Sequence, residues 1–392
     1  MMYEQARRTG EVTALWSVGF RPFFLGGALF AGIEVPYWML VFFGHGDAPP
    51  PLSPVAWHAH EMLYGYLAAI VAGFLLRAMP NWTGRPPLRG APPAALFALW
   101  LAGRIAVAAG SHLDLPLIAA IDGAFLFALA ATLAVPVIKA RSWRNSPPVA
   151  IVTLLAFANV LFYVKQAEQP GMNAGIVIGI AVAILLIALI GGRVIPAFTR
   201  NWLVGHNPGR MPHAYGGFDR VTLAISVVAL AAWCVAPLGP PTALALALAA
   251  VGRCVRLMRW AGDRTAREPL LAILHIGYAF VPLGFALMAA ASLSPSVGES
   301  AAIHAWTAGA IGIMTIAMMS RVTLGHTGHP LVADGVTRVI YVAIVAAAVL
   351  RVLAGLVPQE AIRLLPAAAV CWMAAMLVFV VRYGPLLVRP RA

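Results

Sequence analysis

The sequence predicts an all-α polytopic membrane protein of about twelve transmembrane helices, and three observations predict it. Hydrophobic residues fill 61% of the 392 positions and charged ones only 10%, whereas a soluble domain carries roughly 25% charged residues. Runs such as "IVIGIAVAILLIALIGG" and "TRVIYVAIVAAAVLRVLAGL" approach or exceed the ~20 apolar residues that cross a bilayer as a helix. The basic surplus, +13 in all, falls in alternate loops, as expected for a chain threaded back and forth through a membrane.

Taken in order, each span centres on one apolar run. Span 1 (20–43) follows a polar N-terminus and is too long for the core of a signal peptide, so no cleaved leader is expected. Span 2 (58–79) opens on two histidines and a glutamate before turning apolar, and span 3 (93–110) is short. Span 4 (115–138) follows "SHLDLP", while spans 5 and 6 (147–165, 173–198) flank "QAEQPGMN". Spans 7 and 8 (219–237, 240–260) are parted only by "LGPP". Spans 9 and 10 (270–291, 302–323) flank "SLSPSVGES", and spans 11 and 12 (337–356, 362–383) complete the set.

None of those quoted loops, nor "GHGDAPPPLSPVAW", contains Lys or Arg. The opposite loops are assigned Arg7, Arg8, Arg85, Arg89, Lys139, Arg141, Arg144, Arg200, Arg210, Arg220, Arg253, Arg256, Arg259, Arg264, Arg267, Arg389 and Arg391. An N-in, C-in orientation is expected, and the high pI then needs no nucleic-acid partner. Cys234, Cys254 and Cys371 are scattered without a CxxC or CxxCH pair. Disulfide frameworks, thiolate metal clusters and covalent c-type haem are therefore not expected.

A repeat joins spans 2 and 10. "HEMLYGYLAAIVAGFLLRAMPNWTGRP" from His60 and "HAWTAGAIGIMTIAMMSRVTLGHTGHP" from His304 align without a gap at an offset of 304 − 60 = 244. His60, Gly65, Arg77, Thr83, Gly84 and Pro86 meet His304, Gly309, Arg321, Thr327, Gly328 and Pro330. A weaker echo, "IGGRVIPAFTRNWL", aligns Arg193 with Arg77 and puts Ile176 at the histidine position. The anchors lie 193 − 77 = 116 and 321 − 193 = 128 residues apart, each near the length of four spans. One transmembrane domain (1–392) built as three arcs of four helices is expected, with pseudo-repeats at about 20–138, 147–260 and 270–383.

Titratable groups in a membrane span are functional suspects. His58 and His60, two apart, point about 200° apart on a helix and face different neighbours. His60 and His304 stand at equal depth in the repeat, so two imidazoles can grip a haem iron from both faces, or simply hydrogen-bond near the interface. Glu34 and Glu61 are candidates for orienting a ligand histidine or relaying protons. Arg104 is either a cofactor-binding cation or the partner of Asp122 in a structural ion pair. Arg77, Arg193 and Arg321 either snorkel at helix ends or hold an anionic substrate. His326 and His329, in "GHTGHP", are candidates for copper or zinc, or for a plain turn. His275 reads as a helix-packing residue.

The blocks "GFRPFFLGGALFAGIEVPYWML", "WHAHEMLYGYLAAIVAGFLLRAMPNWTGRPPLRG", "LWLAGRIA", "GGRVIPAFTRNWL" and "HAWTAGAIGIMTIAMMSRVTLGHTGHPL" strongly resemble the NnrS family along essentially the whole chain. The resemblance implies a twelve-helix protein of the bacterial inner membrane. It further implies a role in nitric oxide metabolism, denitrification and resistance to nitrosative stress, with haem and copper as cofactors. A more distant likeness is to the catalytic subunit of haem–copper oxidases and nitric oxide reductases, whose low-spin haem ligands lie on the second and tenth helices. The chain departs from it in having no histidine on spans 6 and 7 and only one on span 10.

The expected function is a redox protein that holds a non-covalent b-type haem, and copper besides, and that binds or reduces nitric oxide. His60 and His304 are the expected axial ligands, with His58 as the alternative or a second metal ligand. Its partners would be the lipid bilayer, a small diatomic or nitrogen-oxide ligand, and an electron donor or quinol. The rival readings are a transporter of a metal or nitrosyl complex and a sensor without turnover.

Overall fold

The computed structural model describes residues 13–166, 168, 171–206, 209–294 and 296–391. These residues form twelve helices long and apolar enough to cross a membrane and contain no strand. They are α1 (Phe20–Phe42), α2 (Pro54–Thr83), α3 (Ala91–Ala108), α4 (Leu115–Lys139), α5 (Trp143–Gln166) and α6 (Ala174–His206). Then follow α7 (Gly217–Val235), α8 (Pro240–Met258), α9 (Pro269–Ala291), α10 (Glu299–Thr327), α11 (Gly335–Leu356) and α12 (Pro358–Val388).

Each helix packs on its neighbours in the chain, and α12 packs on α1, so the order closes into a ring. Within that ring α2, α6 and α10 touch one another. Two of them are the most enclosed spans: 78% of the apolar stretch of α2 and 72% of that of α10 is buried, against 33% for α7. Small residues let them approach, as membrane helices without a hydrophobic drive between them require. Gly179 of α6 lies against Leu63 and Tyr64 of α2, where a Cβ would stand 2.6 Å from the Tyr64 hydroxyl.

The repeat reappears as backbone geometry. α2 is α-helical over Pro54–His60, a π-turn over Glu61–Leu67 and α-helical again over Ala68–Thr83. α10 follows the same course over Glu299–His304, Ala305–Ile311 and Gly312–Thr327. The two wide turns are equivalent, since 61 + 244 = 305 and 67 + 244 = 311. Both helices stop at a left-handed glycine, Gly84 (φ 68°) and Gly328 (φ 89°), a conformation that costs any residue with a Cβ. α6 has no such turn.

Two expectations are corrected. α6 runs to His206 rather than stopping near residue 198, because "PAFTRNWLVGH" stays helical with Pro196 inside the helix. Arg253 and Arg256 are not loop cations: they lie on α8, 0% and 1% exposed. Arg256 pairs with Asp219 at 2.7 Å and donates to the carbonyls of Ala188 and Gly192, and Arg253 donates to Ser226 and Tyr278.

Candidate functional site

A cavity of about 440 Å³ lies between α1, α2, α6, α10, α11 and α12, at the end of the bundle where α2 and α10 begin. Its wall is mostly apolar, with Trp38, Met39, Met62, Ile176, Ile303 and Trp372 among the lining side chains. Its polar lining groups include His58 from α2, Glu299, Ser300 and His304 from α10, and Arg351 from α11. An apolar pocket with a few convergent polar groups is the usual form of a cofactor or small-molecule site.

The two cavity histidines are anchored alike. His58 Nδ1 donates to Glu34 Oε1 of α1 at 2.9 Å, and its ring stacks on Trp38 at 4.1 Å, interplanar angle 21°. His304 Nδ1 donates to the Ser300 carbonyl one turn earlier at 2.7 Å. A carbonyl only accepts, so the His304 proton sits on Nδ1 and Nε2 keeps its lone pair. Carboxylate or carbonyl acceptors behind Nδ1 are the habitual support of a metal-ligating imidazole. Glu34 is 4% exposed, and its second oxygen, Oε2, has no hydrogen-bond partner.

The expected pairing of His60 with His304 is not what the structure builds. His60 is fully buried outside the cavity lining. Its Nδ1 bonds Glu61 Oε1 at 2.9 Å, and its Nε2 faces Asn159 Oδ1 at 3.0 Å and Asp122 Oδ2 at 3.2 Å. Asn159 Nδ2 donates to Asp122 at 2.7 Å, which fixes the amide orientation. Both ring nitrogens of His60 therefore face acceptors, and neither is free for a metal. Rotation accounts for the difference in placement. A turn of the bundle that carries α2 onto α10 also carries α5 onto α1. His60 faces Asn159, Phe162 and Tyr163 of α5, and His304 shares its cavity with Val35, Trp38 and Met39 of α1. Equivalent residues thus look into successive clefts rather than one shared cleft. His58, about 200° round from His60, is the α2 histidine that faces the cavity.

Arg104 is likewise no cavity residue. Its guanidinium bridges Glu61 and Asp122, and Tyr163 donates to the same Asp122 at 3.1 Å. Gly65 makes room for it, since a Cβ there would stand 2.7 Å from Arg104 Nη1. Glu61 is thus committed to a buried ion cluster, in which the doubly bonded His60 ring and Arg104 face two carboxylates. Apart from Arg104 Nε, which has no hydrogen-bond partner, the charged groups of the cluster are paired with one another, as in a structural ion network.

His326 and His329 do not come together as a metal site. His326 accepts from Arg77 Nη2 at 3.1 Å, and His329 bonds the Thr327 hydroxyl at 2.9 Å. No group of three or more His, Cys, Asp or Glu able to hold a metal occurs among the described residues. Arg321 lies over the Phe198 ring at 4.2 Å, and neither it, Arg77 nor Arg193 lines the cavity. His275 bonds Thr199 at 2.9 Å, as a packing residue would. Sequence reading missed Arg351, although a lone cation inside "AAAVLRVLAGL" is the kind of residue a span does not carry idly. It also missed Asn159 and Tyr163, whose types give no such signal.

Compared with protein-family models, residues 14–391 match the one described as NnrS protein. No curated protein matches the chain.

Proposed function

The chain belongs to the NnrS family, and on that premise we propose that its cavity holds a non-covalent haem between His58 and His304 and serves a redox step on nitric oxide or a species derived from it. Family membership supports a role in nitric oxide metabolism, and the twelve spans make the chain a multi-pass membrane protein with the bilayer as its surroundings. One observation carries the haem reading: two imidazoles on two helices line one apolar cavity, each with Nδ1 tied back to an oxygen. Bound there, haem would supply one-electron chemistry and an iron site for a diatomic ligand.

The chain's own groups do the positioning. Glu34 holds the His58 ring in one tautomer and raises its basicity, and Trp38 fixes its plane. Ser300 holds His304. Trp372 donates its indole N–H to the Ala31 carbonyl at 3.1 Å, and Tyr66 bonds Thr315 at 2.6 Å, so both present apolar ring surface to the cavity. Glu34 is also the titratable group placed to pass a proton at the His58 edge, through its unpaired Oε2.

The test is the visible spectrum and iron content of the detergent-purified protein. His58→Ala and His304→Ala each lose the Soret band or shift it to a five-coordinate form, while His60→Ala keeps the ligand spectrum and loses stability instead. A wild-type protein without iron or a Soret band ends the haem reading. Nitric oxide consumption by the reduced protein tests turnover.

A further inference from the structure

The cavity wall contains one cation that axial ligation does not use. Arg351 Nη2 donates to Ser300 Oγ at 3.2 Å, and no carboxylate among the described residues pairs with Arg351. Its place is built into the helix crossing. Gly355, one turn on, lies where α11 meets α10, and a Cβ there would stand 2.7 Å from the Ala301 nitrogen. That close approach turns the Arg351 side of α11 toward the cavity beside His304. Glu299, at the same rim, is exposed and left to water. A cation in an apolar wall is costly until an anion joins it. The guanidinium fork matches a planar anion with two oxygens better than any other shape.

We propose that Arg351 is the anion-binding residue of the cavity and takes a planar two-oxygen anion, either a carboxylate on the edge of a porphyrin or free nitrite. The first source rests on the haem reading above; the second does not. For the porphyrin, Arg351 sets which edge enters beside His304. For nitrite, it places the nitrogen oxide next to the two imidazoles.

The experiment uses the full-length protein in detergent, loaded with haem or with haem dimethyl ester, whose carboxylates are blocked. The readout is the rate of porphyrin transfer to excess apomyoglobin. In parallel, nitrite is titrated into unloaded protein against the fluorescence of Trp38 and Trp372, which line the cavity. With a porphyrin carboxylate as the anion, the ester leaves wild-type protein about tenfold faster than haem, the weight of one charge-assisted hydrogen bond. Arg351→Gln then loses both at the fast rate, and Arg351→Lys falls between. With nitrite as the anion, haem and ester leave alike, and nitrite changes the fluorescence of the wild type but not of Arg351→Gln. Equal rates for both porphyrins together with no nitrite response overturn the proposal. The ester arm is read on wild-type protein, so a misfolded variant does not shield the idea. A wild type that takes up no porphyrin defeats the haem reading instead, and the nitrite titration then decides for Arg351.

Discussion

Glu34 decides what His58 can do. Behind a ligand imidazole, a carboxylate makes the ring a stronger donor, so Glu34→Gln should raise the midpoint potential of the bound haem and weaken its binding by about 10–100-fold. Spectroelectrochemistry and haem titration check both, and an unchanged potential would place the iron elsewhere. Arg104 predicts the opposite pattern. Removing it strands Glu61 and Asp122 as buried charges, so Arg104→Met should cost about 3–5 kcal/mol of stability and leave the spectrum of the folded fraction unchanged. A thermal melt read beside the Soret band separates the two effects. At this scale the sequence showed which residues matter better than what each faces. Span position flagged His58, His60, Glu34, Glu61 and Arg104 together. Whether a histidine looks into a cleft or a packed cluster depends on partners such as Asn159, about a hundred positions away in the chain, and spacing along one helix does not carry that.

Helix ends were legible where chemistry marks them. Pro54 after Ser53, whose hydroxyl accepts from the Ala56 amide, starts α2, and Gly84 and Gly328 end α2 and α10. Each glycine is left-handed, so Gly84→Val or Gly328→Val should lower stability by roughly 1–2 kcal/mol, measured as a shift in melting temperature. Asp334 caps α11 through the Thr337 amide and hydroxyl and also meets Arg382. Burial pushes its carboxyl up, but the Thr337 bonds and Arg382 outweigh that and hold it at about 2, below the usual 3.8. A depressed carboxylate contributes stability that is complete above its ordinary range and lost as pH falls toward 2. Asp334→Ala should therefore cost about 1 kcal/mol at neutral pH, with the gap between variant and wild type closing only below pH 4. The π-turns were not legible, because "EMLYGYL" and "AWTAGAI" hold nothing a regular helix would refuse. They are visible only once both helices are seen to widen at one place.

For the whole molecule, hydropathy alone delivered twelve spans, and the 244-residue offset delivered the relation between α2 and α10. It did not deliver the consequence of rotation, by which matched histidines serve different clefts. The loop charges predict one further property: a C-terminal fluorescent reporter should light in the cytoplasm, and an alkaline phosphatase fused in the loop before α10 should be active. Reversed signals would overturn the N-in, C-in assignment. Finally, the wide turns below His58 and His304 act as phase breaks. Each lets the histidine-bearing tip of its helix keep its own azimuth, whatever the lower shaft needs for packing. Losing one residue between 61 and 67 should therefore close the wide turn into a regular helix and draw the His58 tip toward the shaft by about 1.5 Å while the shaft stays seated. The cost would be the pocket and not the fold.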